Sequence, residues 1–183
     1  MKLTADLTDK LYVTDLDGTL LRGDQTVSPF TVKTLNALIA WGLRITYATA
    51  RSYHTASQIL REINVNLPCI THNGAELIST IDGRVLTTNE LDNDIAQDIM
   101  DTGAKMGLLP FVCGSVGDGA AKLLYCNPVN SAQKDFIRMK LANNDPRSHE
   151  IPVPTTLNEI IVFHYLLQTQ ESHPLKDYFS AHS

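Results

Sequence analysis

Two aspartates, Asp15 and Asp17, stand two positions apart directly after the short apolar run Leu11 to Thr14, and Gly18 follows them. A β-prone run that ends in acidic residues reads as a buried strand delivering carboxylates into a loop. Two carboxylates at this spacing reach one site only if the chain turns sharply, which Gly18 permits. Attack on phosphorus is the chemistry such a pair suits. A phosphate ester repels a carboxylate, so the nucleophile needs a hard cation that takes oxygen ligands, and Mg²⁺ is that cation. Asp15 would attack phosphorus to give an aspartyl-phosphate; Asp17 would protonate the leaving oxygen and then deprotonate the hydrolytic water. A lone DxD is more often a turn or a cap, and the apolar strand before DLDGTLL is what favours a site here.

Such groups need a scaffold to bring further residues beside them. Ser28 is a good N-cap and Pro29 suits a first helical position, and Val32, Leu35, Leu38 and Ile39 then recur at helical spacing up to Gly42. Leu43 to Ala48 is a second β-prone run ending at Thr49, and Ala56, Ile59, Leu60 and Ile63 form one face of a second helix. A third short strand, Pro68 to Thr71, ends near Asn73 and Gly74. Strands alternating with helices predict right-handed βαβ units, hence an α/β fold with a parallel sheet covered on both faces. Ligands bind at the carboxyl ends of such strands, and here those ends carry Asp15, Thr49 and Asn73. The Thr49 hydroxyl can donate to a phosphoryl oxygen, and Arg51 can bind phosphate or another anionic part of a substrate. Blander readings stand beside these: Thr49 as a helix cap, Arg51 as a solvated first-turn residue, Asn73 with Gly74 as a tight turn.

After Gly83 the pattern changes. A helix over Glu90 to Met106 leads to two strand-like runs, Leu109 to Cys113 and Ala120 to Cys126, joined by a Gly-rich turn. A helix near Ala132 to Leu141, a Pro-containing loop from Asp145 to Pro154, a strand over Glu159 to Leu166 and a helix from about Pro174 complete an α+β segment. A boundary near Gly83 therefore divides the chain into residues 1–83 and 84–183.

Composition narrows the partners. The 183 residues are 43% hydrophobic and 19% charged with net charge -5, and no basic run interleaves with aromatics, which argues against nucleic acid. No apolar run approaches the roughly 18 residues of a membrane helix, and the first ten residues are polar and charged, unlike a secretion signal. Cys69, Cys113 and Cys126 are odd in number, lack a CxxC spacing and sit in apolar stretches, so a reducing cytoplasm is expected. The six histidines show no metal-ligand spacing, and His72 alone falls near the expected cleft.

DLDGTLL after the first strand, ATAR at 48–51 and HNGA at 72–75 resemble the haloacid dehalogenase-like (HAD) superfamily, in its Cof-type sugar-phosphatase branch. The likeness is close over residues 11 to about 83 and looser beyond. It implies a Rossmann-like parallel core sheet, an inserted α+β cap over 84–183 and Mg²⁺-dependent hydrolysis of small phosphorylated metabolites such as sugar phosphates. It further implies that Asp15 is nucleophile and metal ligand, and that Asp17 is general acid/base and lends its backbone carbonyl to the metal. Thr49 would hold the phosphoryl group, with Arg51, Asn73 and the adjoining Gly74 lining the substrate cleft. Ala50 stands where the family usually has Gly.

The family's third motif, a Lys, and its fourth, a Gly-Asp segment with a second acid, follow the cap, and this chain ends where the cap would end. Gly117, Asp118 and Gly119 imitate the fourth motif, but Lys122 stands where its second acid belongs, so they read as a turn. Two further readings stay open beside a phosphatase: a non-catalytic remnant or binding module on the same fold, and a phosphomutase. A phospho-accepting receiver fits less well, because its acceptor Asp belongs on the third strand, where this chain has Asn73. The segment implied after the cap would also supply the strand beside Leu11 to Thr14. Without it that apolar edge is expected to be covered by a second copy, as a homodimer.

Overall fold

The computed structural model describes residues 9–115, 121–126, 128–142, 147–150, 158–167, 175–178 and 180–181, in two compact units, Met1–Asn89 and Glu90–Ser183.

In the first unit β1 (Leu11–Thr14) pairs in parallel with β2 (Arg44–Tyr47), with Leu11 level with Arg44 and Thr14 level with Tyr47. Helix α1 (Pro29–Ala40) makes the crossover and starts where the sequence says it should: the Ser28 hydroxyl accepts the Thr31 N–H at 3.0 Å, and Pro29 takes the first position. Helix α2 (Tyr53–Ile59) then leads to β3 (Cys69–Thr71), which joins β2 through one parallel bridge, Ala48 to Ile70. The order is thus β1, β2, β3, all running one way, as the βαβ pattern requires.

Two strands unforeseen in the sequence follow. β4 (Glu76–Ile78) pairs antiparallel with β3, and β5 (Val85–Thr88) pairs antiparallel with β4. Gly83 lies in the turn between them, where the Gly83 N–H donates to the Ser79 carbonyl and the Ser79 N–H to the Arg84 carbonyl, both at 2.9 Å. Leu16, Leu21, Tyr47, Ala56, Leu60, Ile63, Cys69 and Ile78 form the core of this unit, with Val32, Leu35 and Ile39 of α1 packed against it. One expectation is corrected. β1 is not a buried strand in a sheet covered on both faces, because Leu11, Tyr12 and Val13 are 53%, 45% and 49% exposed. Among the described residues β2 is its only neighbour in the sheet.

The second unit holds a four-stranded sheet in the order β8-β7-β6-β9, built from β6 (Phe111–Ser115), β7 (Ala121–Tyr125), β8 (Ser148–Glu150) and β9 (Asn158–His164). Its pairs are antiparallel except β7 with β8. Helix α3 (Asn93–Lys105) packs Ala96 and Met100 on Val112, Leu124 and Ile160. Phe111 precedes Val112 on the strand and so points the other way, onto Phe136 of α4 (Ser131–Ala142), with ring centroids 4.9 Å apart. The two helices therefore cover opposite faces. The expected turn at Gly117, Asp118 and Gly119 lies outside the described residues, as do Asp145, Pro154 and Pro174; β8 falls inside the stretch expected as a loop, and residues 175–178 and 180–181 are helical. All three cysteines are buried, and none is in a disulfide. No helix among the described residues is long and apolar enough to cross a membrane.

Candidate active site

Sheet register assembles the site. The Ala48 N–H donates to the Thr14 carbonyl at 2.9 Å, and Ala48 also bridges Ile70. Asp15, Thr49 and the residues after Thr71 therefore leave the sheet together, at the carboxyl end of three parallel strands, which is where such sheets bind ligands.

Asp15 is exposed and extended, with φ -76° and ψ 161°, and its Oδ1 accepts the Leu16 N–H at 2.7 Å. Fully buried Leu16 anchors the loop in the core, Asp17 stays extended, and Gly18 turns at φ 73°, a conformation that side-chain-bearing residues avoid. The Leu21 N–H then closes the loop on the Leu16 carbonyl at 2.9 Å.

Asp17 meets Arg51. Nε donates to Oδ2 at 2.7 Å and Nη2 to Oδ1 at 2.5 Å, a two-pronged contact between a side chain 52% exposed and one 18% exposed. The hydrogen bonds from Arg51 hold the Asp17 carboxyl below the usual aspartate range; slight burial opposes them and the guanidinium's charge adds to them. Asp17 in turn, mainly through the same hydrogen bonds, pushes Arg51 up. Arg51, expected to meet an anion, thus lies on the chain's own carboxylate.

Thr49 is buried, and its hydroxyl oxygen accepts the Arg51 N–H at 3.1 Å. The helix cap is a different residue, Ser52, whose hydroxyl accepts the Thr55 N–H at 3.4 Å. A hydroxyl that accepts one bond still has its own proton to give, so Thr49 keeps the capacity to donate.

Asn73 and Gly74 are exposed in a turn whose residues His72, Asn73 and Gly74 have φ 50°, 57° and 99°. Left-handed backbone costs roughly 1–2 kcal/mol at each non-glycine position, so the turn must be held from outside. The His72 N–H donates to the Arg51 carbonyl and the Asn73 N–H to the Thr49 carbonyl, both at 3.1 Å. From the far side the Asn89 N–H donates to the Ala75 carbonyl at 2.7 Å, and Asn89 Nδ2 to the Gly74 carbonyl at 3.2 Å. The structure therefore brings Asp17, Arg51, Thr49 and Asn73 into one chain of contacts, with Asp15 at its head through the Leu16 loop. Ser52 and Asn89 were missed from the sequence. Ser52 carries a recognisable N-cap signal ahead of α2, whereas nothing local to Asn89 announces its role.

The Asp15 carboxylate and the Asp17 backbone carbonyl are hard oxygen donors on an exposed loop. That is the donor class Mg²⁺ takes when it is bound by one or two carboxylates, substrate phosphate and water, so the residues present fit the ion.

Comparison with known proteins identifies the family and the fold. The sequence pattern of the haloacid dehalogenase-like hydrolases matches residues 12–181. A protein of Serratia proteamaculans named HMP-PP phosphatase is 33% identical over 93 residues, 51% of this chain and 34% of that protein. The match thus spans about a third of that relative's length. A haloacid dehalogenase-like hydrolase from Bacteroides thetaiotaomicron superposes with a TM-score of 0.68 at 18% identity, covering 92% of this chain and 62% of that one. TM0651 from Thermotoga maritima superposes with a TM-score of 0.67 at 17% identity, covering 94% and 62%. At those identities the two structures speak for the fold.

Proposed function

Because the chain belongs to the haloacid dehalogenase-like hydrolase family, we propose that it is a Mg²⁺-dependent phosphatase of small phosphorylated metabolites such as sugar phosphates, working through an aspartyl-phosphate on Asp15. The observation that carries this reading is the convergence of Asp15, Thr49 and the Asn73–Gly74 turn at one end of three parallel strands. The relative named as a phosphatase supports it.

On this reading an Asp15 oxygen attacks phosphorus, the bond to the leaving oxygen breaks, and Asp17 gives that oxygen a proton. Asp17 then takes a proton from water as the water attacks the aspartyl-phosphate, which frees phosphate and restores Asp15. Thr49 donates to a non-bridging oxygen while its own oxygen keeps the Arg51 N–H. Arg51 exchanges its hold on Asp17 for an anionic group of the substrate, which leaves Asp17 able to carry a proton. Asn73 and Gly74 line the cleft. The Asp15 carboxylate and Asp17 carbonyl would hold Mg²⁺, and the bound ion would screen the repulsion between carboxylate and phosphate. The Glu90–Ser183 unit serves as the cap that selects the substrate. Three buried cysteines outside any disulfide favour a reducing cytoplasm.

One observation favours a second reading, a non-catalytic binding module. Both Asp17 oxygens are taken by Arg51, an arrangement suited to an ionised carboxylate and not to a proton donor. Hydrolysis of p-nitrophenyl phosphate separates the two. The phosphatase reading expects Mg²⁺-dependent turnover that Asp15→Asn abolishes, whereas no turnover in either protein supports the module. Transfer to a sugar acceptor instead of water would mark a phosphomutase.

A further inference from the structure

Below the turn that carries Asn73 and Gly74 lies a polar cluster with no part in the mechanism above. Thr71 and Glu76 face each other across the β3–β4 pair and close a four-residue loop, His72 to Ala75. Thr71, His72 and Glu76 are buried, at 0%, 6% and 6% exposure. The Thr71 hydroxyl donates to Glu76 Oε2 at 3.1 Å, and His72 Nε2 lies 3.7 Å from the same oxygen.

A buried carboxylate is costly wherever an apolar side chain would do, and it persists where its partners fix a geometry. Here the geometry needs fixing. His72 and Asn73 are non-glycine residues in left-handed backbone, and their N–H groups are the two that reach the Arg51 and Thr49 carbonyls. Backbone bonds at the tip cannot set the base of the loop, and the Thr71–Glu76–His72 contacts are placed to do so.

We propose that Glu76 is a positioning residue, which through Thr71 and His72 holds the left-handed turn that fixes Asn73 and Gly74 against the Thr49–Arg51 loop. It rests on the phosphatase reading for its consequence, which is tight holding of the phosphorylated substrate.

The test compares Glu76→Leu and Glu76→Gln with wild type in the full chain by amide hydrogen exchange. Glu76→Leu is expected to speed exchange at the His72 and Asn73 amides by about tenfold or more, while Val32 and Trp41 in the same unit stay within about twofold. Glu76→Gln keeps an acceptor for Thr71 and is expected to restore slow exchange. Unchanged rates at His72 and Asn73, or equal acceleration throughout the unit, overturn the proposal. Where Glu76→Leu fails to fold, Thr71→Val removes the hydroxyl at nearly constant shape, and the same two outcomes decide. With p-nitrophenyl phosphate and Mg²⁺, Glu76→Leu should raise KM about tenfold and leave kcat within about threefold; a fall in kcat at constant KM contradicts the proposal. A wild-type chain that hydrolyses nothing removes the phosphatase reading, while the exchange pattern still decides whether Glu76 holds the turn.

Discussion

The contact between Arg51 and Asp17 is where the chemistry of single residues is most exposed to test. Thirty-four positions separate them, so no local pattern joins them; the sequence marks each as a site residue but hides that they hold each other. Arg51 depresses the Asp17 pKa, and a carboxylate depressed in the folded state stabilises it above the unfolded value of about 3.9, an effect lost as pH falls through the lower folded value. Arg51→Met should therefore raise the Asp17 pKa toward its ordinary value, read by carbon-13 NMR of the carboxyl. Any stability lost in Arg51→Met should appear above about pH 4 and fade below it. Because Asp17 is half exposed, that stability difference is expected to be small and to shrink further with salt. An unchanged Asp17 titration in the variant would show that the contact does not persist in solution.

At the scale of elements, punctuation decided what could be read. Ser28 and Pro29 start α1 at the expected residue, and Leu11 to Thr14 is a strand over the expected span. Asp82–Gly83 is a hairpin signal, yet it reads as a boundary because the strands it joins, β4 with three residues and β5 with four, are too short to show a clear alternation. β8 is three residues, Ser148, His149 and Glu150, with no apolar alternation for a pattern to catch. Nor does the run Glu76–Leu77–Ile78 disclose that its acid faces inward, because polar residues on strands usually face water. The 72–74 turn itself is legible only as Asn-Gly; its left-handed start at His72 is not, because the N–H bonds it aims run to Arg51 and Thr49, far away in the sequence. At Gly74 a Cβ would meet nothing within 4 Å, so Gly74→Ala isolates the backbone cost of φ 99° from any clash. Thermal or urea unfolding should show a loss of about 1–2 kcal/mol. Stability equal to wild type would mean that the turn is free to adopt another conformation.

For the whole molecule the open question is what meets β1. Leu11, Tyr12 and Val13 are each about half exposed, and the strand carries no charge, proline or bulge of the kind that protects sheet edges. We propose that a second copy pairs with it. Light scattering should then give a mass that rises from one chain toward two with concentration, and Val13→Lys should keep it at one. A wild-type mass that stays at one chain throughout would exclude this pairing. Asp15 as phosphoryl acceptor can be tested without turnover, because beryllofluoride mimics a phosphoryl group on a carboxylate. Fluorine-19 NMR of the chain with Mg²⁺ and beryllofluoride should show a bound resonance that vanishes without Mg²⁺ and in Asp15→Asn. A folded wild-type protein with no bound resonance, or one that persists in Asp15→Asn, would contradict the assignment of Asp15 as the phosphoryl acceptor.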